Sequence, residues 1–370
     1  MTSPVYNAFL MDGTTRVGEL EYTRLEIASR FLRMGRWEAT VPRIPSTLSW
    51  KSRIQVTRDG VSVFSGPLRH ISRKWTYAET DARTLIGTCD LAYVAAALAY
   101  PDPSLSGPPF STQTHDVRTG PCETVVRDYI RLNVGPNAPA NRQQGILLQT
   151  NLARGGTVTA RARFDNLLDL CREKTLPSGI GFEVVDMTLR FFSTSNLTSF
   201  IIFSRELDNL KEYEYEARSP EFNFAMVAGG GEGTARVIVE RLDQASINET
   251  GRIETFVDQR NTTVVSELEQ SGDETLSERS AGDLNIHIIP GVQAVENMRA
   301  YDDYYLGDLV TAVIDGEVLE SFIQEIGILV TQDDVHEHAT LGSFGKGYRA
   351  TRTNELLQAI SRRTRNLEVR

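Results

Sequence analysis

Cysteine and histidine are scarce: 3 and 5 residues in a chain of 370. Cys89, Cys122 and Cys171 are odd in number, widely scattered and fit no Cys-x-x-Cys spacing. That excludes a disulfide framework or a cysteine metal site and predicts buried, reduced thiols. No stretch approaches the ~18 uncharged apolar residues of a membrane-spanning helix, so no stable membrane association is expected. The opening Met-Thr-Ser-Pro-Val-Tyr-Asn has no basic region leading into an apolar core, which predicts synthesis and assembly in the cytosol rather than secretion. Basic charge is also in deficit. With 49 acidic against 39 basic residues the net charge is −10, which disfavours a surface built to grip nucleic acid. Acidity is compatible with a conduit past which DNA slides, since a repelling wall prevents sticking. It is equally compatible with acids that merely solvate the outer surface.

Catalytic signatures are missing in the same way. No nucleophile elbow, zincin helix or paired Cys/His pattern occurs. The Gly229–Gly233 cluster follows one β-run and precedes another, so it reads as a strand-to-strand turn rather than a phosphate cradle. Gly345-Lys346-Gly347 lacks the spacing of a P-loop. His336-Glu337-His338, preceded by Asp333-Asp334, is the best metal candidate, because alternate residues of a strand share a face. Two imidazoles with loop carboxylates make a weak ligand set, and a solvated hairpin turn is the expectation. No catalytic residue, metal ligand or cofactor is assigned, and the chain reads as a non-enzyme.

What is present is a signature that occurs twice. Residues 52–71 and 307–326 each run as a β-segment, an Asp-Gly turn and a second β-segment closing on Ile. Asp59-Gly60 and Asp315-Gly316 supply the positive φ of a tight type I′ hairpin, and Gly307-Asp308 opens the second copy. Asp-Gly hairpins are common in β-rich proteins. Two related copies also fit two similar small β-barrels, of which a trimer presents six in a ring.

The remaining pattern is a β-rich α+β chain in five parts. Residues 1–97 read as a first β-barrel, with a short helix over Asp90–Tyr100 at its end. Residues 98–208 read as an α/β insertion. It begins with a Pro/Ser/Gly-rich loop over 101–121, followed by helices over 122–133 and 166–174 and a hairpin turning at Asp186-Met187. Residues 209–243 and 300–350 read as a second barrel, interrupted by a polar, acidic subdomain over 244–299 with one helix. Residues 351–370 read as an amphipathic helix. Leu356, Leu357 and Ile360 share one side beside Arg362 and Arg363, ready to dock on a neighbouring chain or on their own barrel.

The order of these features resembles the tail-hub (baseplate-hub, tail-associated) proteins of long-tailed bacteriophages, nearest to minor tail proteins of siphophages of actinobacteria. Trp37-Glu-Ala-Thr-Val-Pro42, Val56–Pro67, Arg163–Leu168, Phe203-Ser204, Asp208–Leu210, Asn223–Arg236 and Tyr304–Val310 carry the resemblance in order along most of the chain. It implies two tube-forming barrels with inserted domains, assembled as a homotrimer at the virion tail tip. The partners implied are a sixfold distal tail ring above, threefold tip or fibre proteins below, and the tape-measure protein and transiting DNA in the lumen. Many relatives continue into lysin or receptor-binding modules. This sequence stops at Arg370, which puts those activities in doubt here; a tail-associated cell-wall hydrolase and a receptor-binding tail protein are the alternatives to a structural hub.

Overall fold

Alternation of apolar and polar residues starts within the first ten positions and sets the first sheet. The computed structural model describes residues 4–76, 79–207, 209–260, 262–279, 283–290 and 298–342. Seven strands come first: β1 (Tyr6–Asp12), β2 (Thr15–Glu19), β3 (Arg24–Arg30), β4 (Arg36–Thr40), β5 (Ser52–Arg58), β6 (Val61–Thr76) and β7 (Glu79–Thr88). Leu25, Ile27, Trp37, Ala39, Ile54, Val56 and Leu85 are buried between them. Each fully buried Leu or Ile contributes roughly 1.5–3 kcal/mol relative to exposure.

The chain then leaves this sheet. It passes through α1 (Ala92–Ala95), β8 (Leu98–Ala99), β9 (Asp116–Pro121), α2 (Cys122–Asn133), β10 (Leu147–Leu148), β11 (Thr157–Ala162), β12 (Asp165–Asn166), α3 (Leu167–Thr175), β13 (Ile180–Val185) and β14 (Thr188–Ser193). Asn166 caps α3 by accepting from the Leu168 and Asp169 amides. Asp186 and Met187, at φ 49° and 58°, form the tight turn between β13 and β14. The helix expected over 90–100 is only α1. The carbonyls of Ala97 and Ala99 accept from Leu167 and Phe164 instead, which pulls Leu98–Ala99 into a strand against β12. The expected loop over 101–121 likewise ends in a strand, β9, paired along its length with β11.

Strands return with β15 (Ile202–Ser204), β16 (Leu210–Arg218), β17 (Phe224–Ala228) and β18 (Ile238–Leu242), then α4 (Gln244–Thr250), β19 (Glu254–Asp258), α5 (Val265–Arg279) and β20 (Asp283–Pro290). The chain closes this region with β21 (Leu309–Ile314), β22 (Glu317–Thr331) and β23 (Val335–Gly342). β17 lies between β18 and β19 in a separate sheet, and α5 packs Leu268 and Leu276 against its Ala225 and Val227. Residues 224–242, expected with the second barrel, therefore pair with the second insertion. Their partner β19 begins and ends on a charged residue, Glu254 and Asp258, within a polar, acidic stretch, so it does not read as a core strand.

The pairing orders of the two halves correspond strand for strand. The first half runs β3-β4-β7-β6-β5, and the second runs β16-β20-β23-β22, with β21 paired to β22. In chain order these are first, second, fifth, fourth and third strands in both, and every pairing is antiparallel. β22 also pairs with β3, so the two halves form one continuous sheet.

Candidate assembly interface

Both Asp-Gly turns are two-residue connections. Asp59 and Gly60 have φ of 50° and 84°, and Asp315 and Gly316 have φ of 51° and 86°, all in the left-handed region a type I′ turn requires. Arg58 faces Val61 across the first turn, and Ile314 faces Glu317 across the second. Each Asp also ties its turn to a neighbour: Asp59 accepts from the Val5 amide at 2.9 Å, and Asp315 from the Tyr213 hydroxyl at 2.9 Å. Gly307-Asp308 does a different job. Asp308 accepts from the Ser195 and Tyr305 amides at 2.8 and 2.7 Å, tying the turn before β21 to the first insertion. Burial raises the Asp308 carboxyl, while those two amides oppose the shift.

The long strands β6 and β22 carry a matching irregularity. The register against β7 shifts between Leu68 and His70, and that against β23 shifts between Ile323 and Glu325. Before its shift each strand pairs back across its own Asp-Gly turn. Beyond it, β22 has β23 on one side and β3 on the other.

This seam between the halves separates two chemistries, because alternate residues of a strand face opposite ways. Ile328 and Val330, opposite Ile27 and Leu25, join the apolar core with Trp37 and Leu85. The other face carries paired charges. Arg24 meets Glu26 at 2.7 Å and Glu38 at 3.7 Å, Arg36 meets Glu38 at 2.7 Å, and Arg30 Nε meets Glu325 at 2.5 Å. Glu325 is 2% exposed, and His338 Nε2 lies 3.9 Å from its Oε1. Burial raises the Glu26 carboxyl, with Arg24 and Arg36 pulling it back. Three arginines (24, 30, 36) against three glutamates (26, 38, 325) make this face charge-balanced. His336 and His338 belong to β23, and His338 is 3% exposed, so the solvated turn expected there is confined to Gln332–Asp334.

A second polar tie reaches across the apolar side. The Tyr6 hydroxyl donates to Glu337 at 3.2 Å, and Arg58 pairs with Asp302 at 2.8 Å. Burial raises the Glu337 carboxyl against the pull of Arg58. The two insertions are joined by charge as well. Arg161 meets Glu267 through two nitrogens at 2.8–3.0 Å, and Lys174 meets Glu274 at 2.6 Å. Burial pushes Glu274 up to about 7 despite that lysine. Among the described residues no group of three or more His, Cys, Asp or Glu is placed to hold a metal ion. Leu356, Leu357, Ile360, Arg362 and Arg363, with the helix expected over 351–370, lie outside the described residues.

The seam was not identified from the sequence. A signal for it existed in the opposite charges two apart, Arg24-x-Glu26 and Arg36-x-Glu38, on neighbouring strands.

The family described as Siphovirus ReqiPepy6 Gp37-like protein matches residues 9–343. No curated protein matches the chain. The tail protein from Neisseria meningitidis MC58 is similar in structure, with a TM-score of 0.59 at 14% identity, covering 91% of this chain and 96% of that one. The prophage tail protein gp18 from Listeria monocytogenes EGD-e gives 0.60 at 11%, covering 96% and 99%. The prophage MuSo2 43 kDa tail protein from Shewanella oneidensis gives 0.57 at 12%, covering 90% and 97%. The β-rich fold with few helices is thus one shared with phage tail proteins.

Proposed function

The chain belongs to the Siphovirus ReqiPepy6 Gp37-like family of phage tail proteins, and from that premise we propose that it is a structural hub of the tail tip. Three copies form a ring that joins the sixfold distal tail ring to threefold tip or fibre components and surrounds the path of the tape-measure protein and DNA. One observation carries this reading: a single chain holds two units of identical strand order, joined edge to edge through β3 and β22. Three such chains present six like units, which meets a sixfold ring on one side while keeping threefold symmetry on the other.

In this reading residues 1–97 form the first tube unit. The second is built from 210–218, 283–290 and 309–342, with residues 98–208 and 224–279 as outer insertions. The charge-paired face of β3, β4 and β22 lines the bore. Its arginines and glutamates balance, whereas net charge alone left an acidic bore and an acidic outer surface equally open. A face whose cations are already paired offers few free charges for phosphate, so DNA passes without being held. The site of action is the virion tail tip, reached after assembly in the host cytoplasm.

Native mass spectrometry of the full chain tests the proposal. The expected species has three times the 41.2 kDa chain mass, and a persistent monomer at micromolar concentration overturns it.

A further inference from the structure

Two edges of the sheet have no strand paired to them among the described residues. Beyond its register shift, β22 is flanked by β23 and β3. Beyond the matching shift, β6 is flanked by β7, and among the described residues no strand pairs with its other edge. β16 occupies in the second unit the place of β3 in the first, and among the described residues it ends the sheet. Unpaired N–H and C=O groups along such edges favour strand addition.

We propose that residues 70–76 of β6 pair antiparallel with β16 of a second copy of this chain, in the register of the β22–β3 seam. The inference rests on the ring reading above and specifies its intermolecular contact. The register follows from two parallel chains of partners. Glu26 faces Glu38, which faces Ile86, which faces His70. Glu214 faces His287, which faces Thr340, which faces Glu325. Glu214 therefore corresponds to Glu26, and His70 to Glu325. In the seam Glu26 faces Leu329, four residues beyond Glu325, and Leu25 faces Val330. Carried over, Glu214 faces Lys74, four residues beyond His70, and Tyr213 comes opposite Trp75, which sits at a second register shift of β6 against β7.

The side chains brought together by this register fit one another. In this register Lys74 of β6 comes opposite Glu214 of β16. Opposite charges facing each other across a strand pair stabilise the pairing. Trp75 is 72% exposed at the edge, and pairing covers it with Tyr213 at a position where the seam buries Val330 against Leu25. An exposed tryptophan on an open edge is otherwise an aggregation liability.

Two cysteine pairs test the contact: Lys74→Cys with Glu214→Cys, and Trp75→Cys with Tyr213→Cys. Successive antiparallel pairs alternate in type, so one of the two has the ~4.5 Å Cα separation at which a disulfide closes. Lys74→Cys with Arg218→Cys, displaced by ~13 Å along the strand, is the control. Under mild oxidation one in-register pair should give a disulfide-linked trimer at least tenfold above the control, and single-cysteine variants none. Lys74→Glu should lower the trimer fraction, and Lys74→Glu/Glu214→Lys should restore it. A wild-type trimer by native mass with neither cross-link nor charge-swap rescue overturns this contact and leaves the ring reading standing. A wild-type monomer overturns both.

Discussion

Replacing Gly327 by alanine drives a methyl group into His338 at the seam between the two units. A Cβ built there collides with Nε2 and Cε1 of the imidazole and stands 2.7 Å from Cδ2. Ordinary carbon contacts lie at about 3.5–4.0 Å, so the ring must retreat by ~1 Å or more. It has little room, being 3% exposed with Glu325 beside it. Overpacking of this kind costs about 1–3 kcal/mol, and the tight enclosure puts Gly327→Ala near the upper end. Backbone entropy acts in the opposite direction, favouring alanine by roughly 0.5–1 kcal/mol in a strand, so net destabilisation isolates the collision. His338→Ala empties the space. The double variant should then be more stable than the sum of the single effects by ~1–2 kcal/mol, the coupling expected of residues in contact. Urea denaturation of all four proteins measures this. An alanine variant as stable as wild type, or strictly additive effects, would refute the packing argument.

Lys174→Met should cost roughly 3–5 kcal/mol at pH 8 by stranding Glu274 in a buried site, while Lys174→Met/Glu274→Leu should recover most of it; thermal melts of the three proteins decide. The loss should shrink as pH falls below neutrality, because burial already holds Glu274 up near 7 and it takes a proton readily. Glu183 gives a second pH handle: burial raises its carboxyl above 4.5, with the Tyr305 hydroxyl at 2.8 Å and Arg190 opposing. A raised folded-state value contributes stability below about pH 4.5 that is lost as pH climbs through it. Glu183→Gln should therefore gain stability on wild type between pH 4.5 and 7.5, and a difference that stays constant across that range counts against the argument.

Local chemistry explains what the sequence made readable. The Asp59-Gly60 and Asp315-Gly316 turns are encoded by the φ preferences of two adjacent residues, with no distant partner involved. The cap of α3 at Asn166 and the Asp186-Met187 turn are similarly local. Partner choice is different in kind. Phe224–Ala228 is as apolar as any core strand of the main sheet, yet it pairs with Ile238–Leu242 and Glu254–Asp258 because α5 covers that sheet. Nothing within a few residues of Ala97 announces that Leu167 will take its carbonyl and stop a helix. The charge-paired face was written in residues two apart, but its significance depends on β3 meeting β22.

That meeting has a consequence for how the protein is made. Arg30 and its partner Glu325 are 295 residues apart in the chain. At about 5–20 residues per second, roughly 15–60 s of translation separates them. Throughout that interval β3 leaves the ribosome with its outer edge bare, while β4, β6 and β7 are already available to hold the rest of its sheet. When β22 emerges, the β3 of a neighbouring nascent chain on the same message offers it the same register and the same glutamate–arginine match. Synthesis on crowded polysomes is therefore when this fold is most exposed to exchanging its second unit between chains. Dilution of the message, or slower initiation, should raise the yield of correctly closed protein more than any stabilisation of the finished molecule.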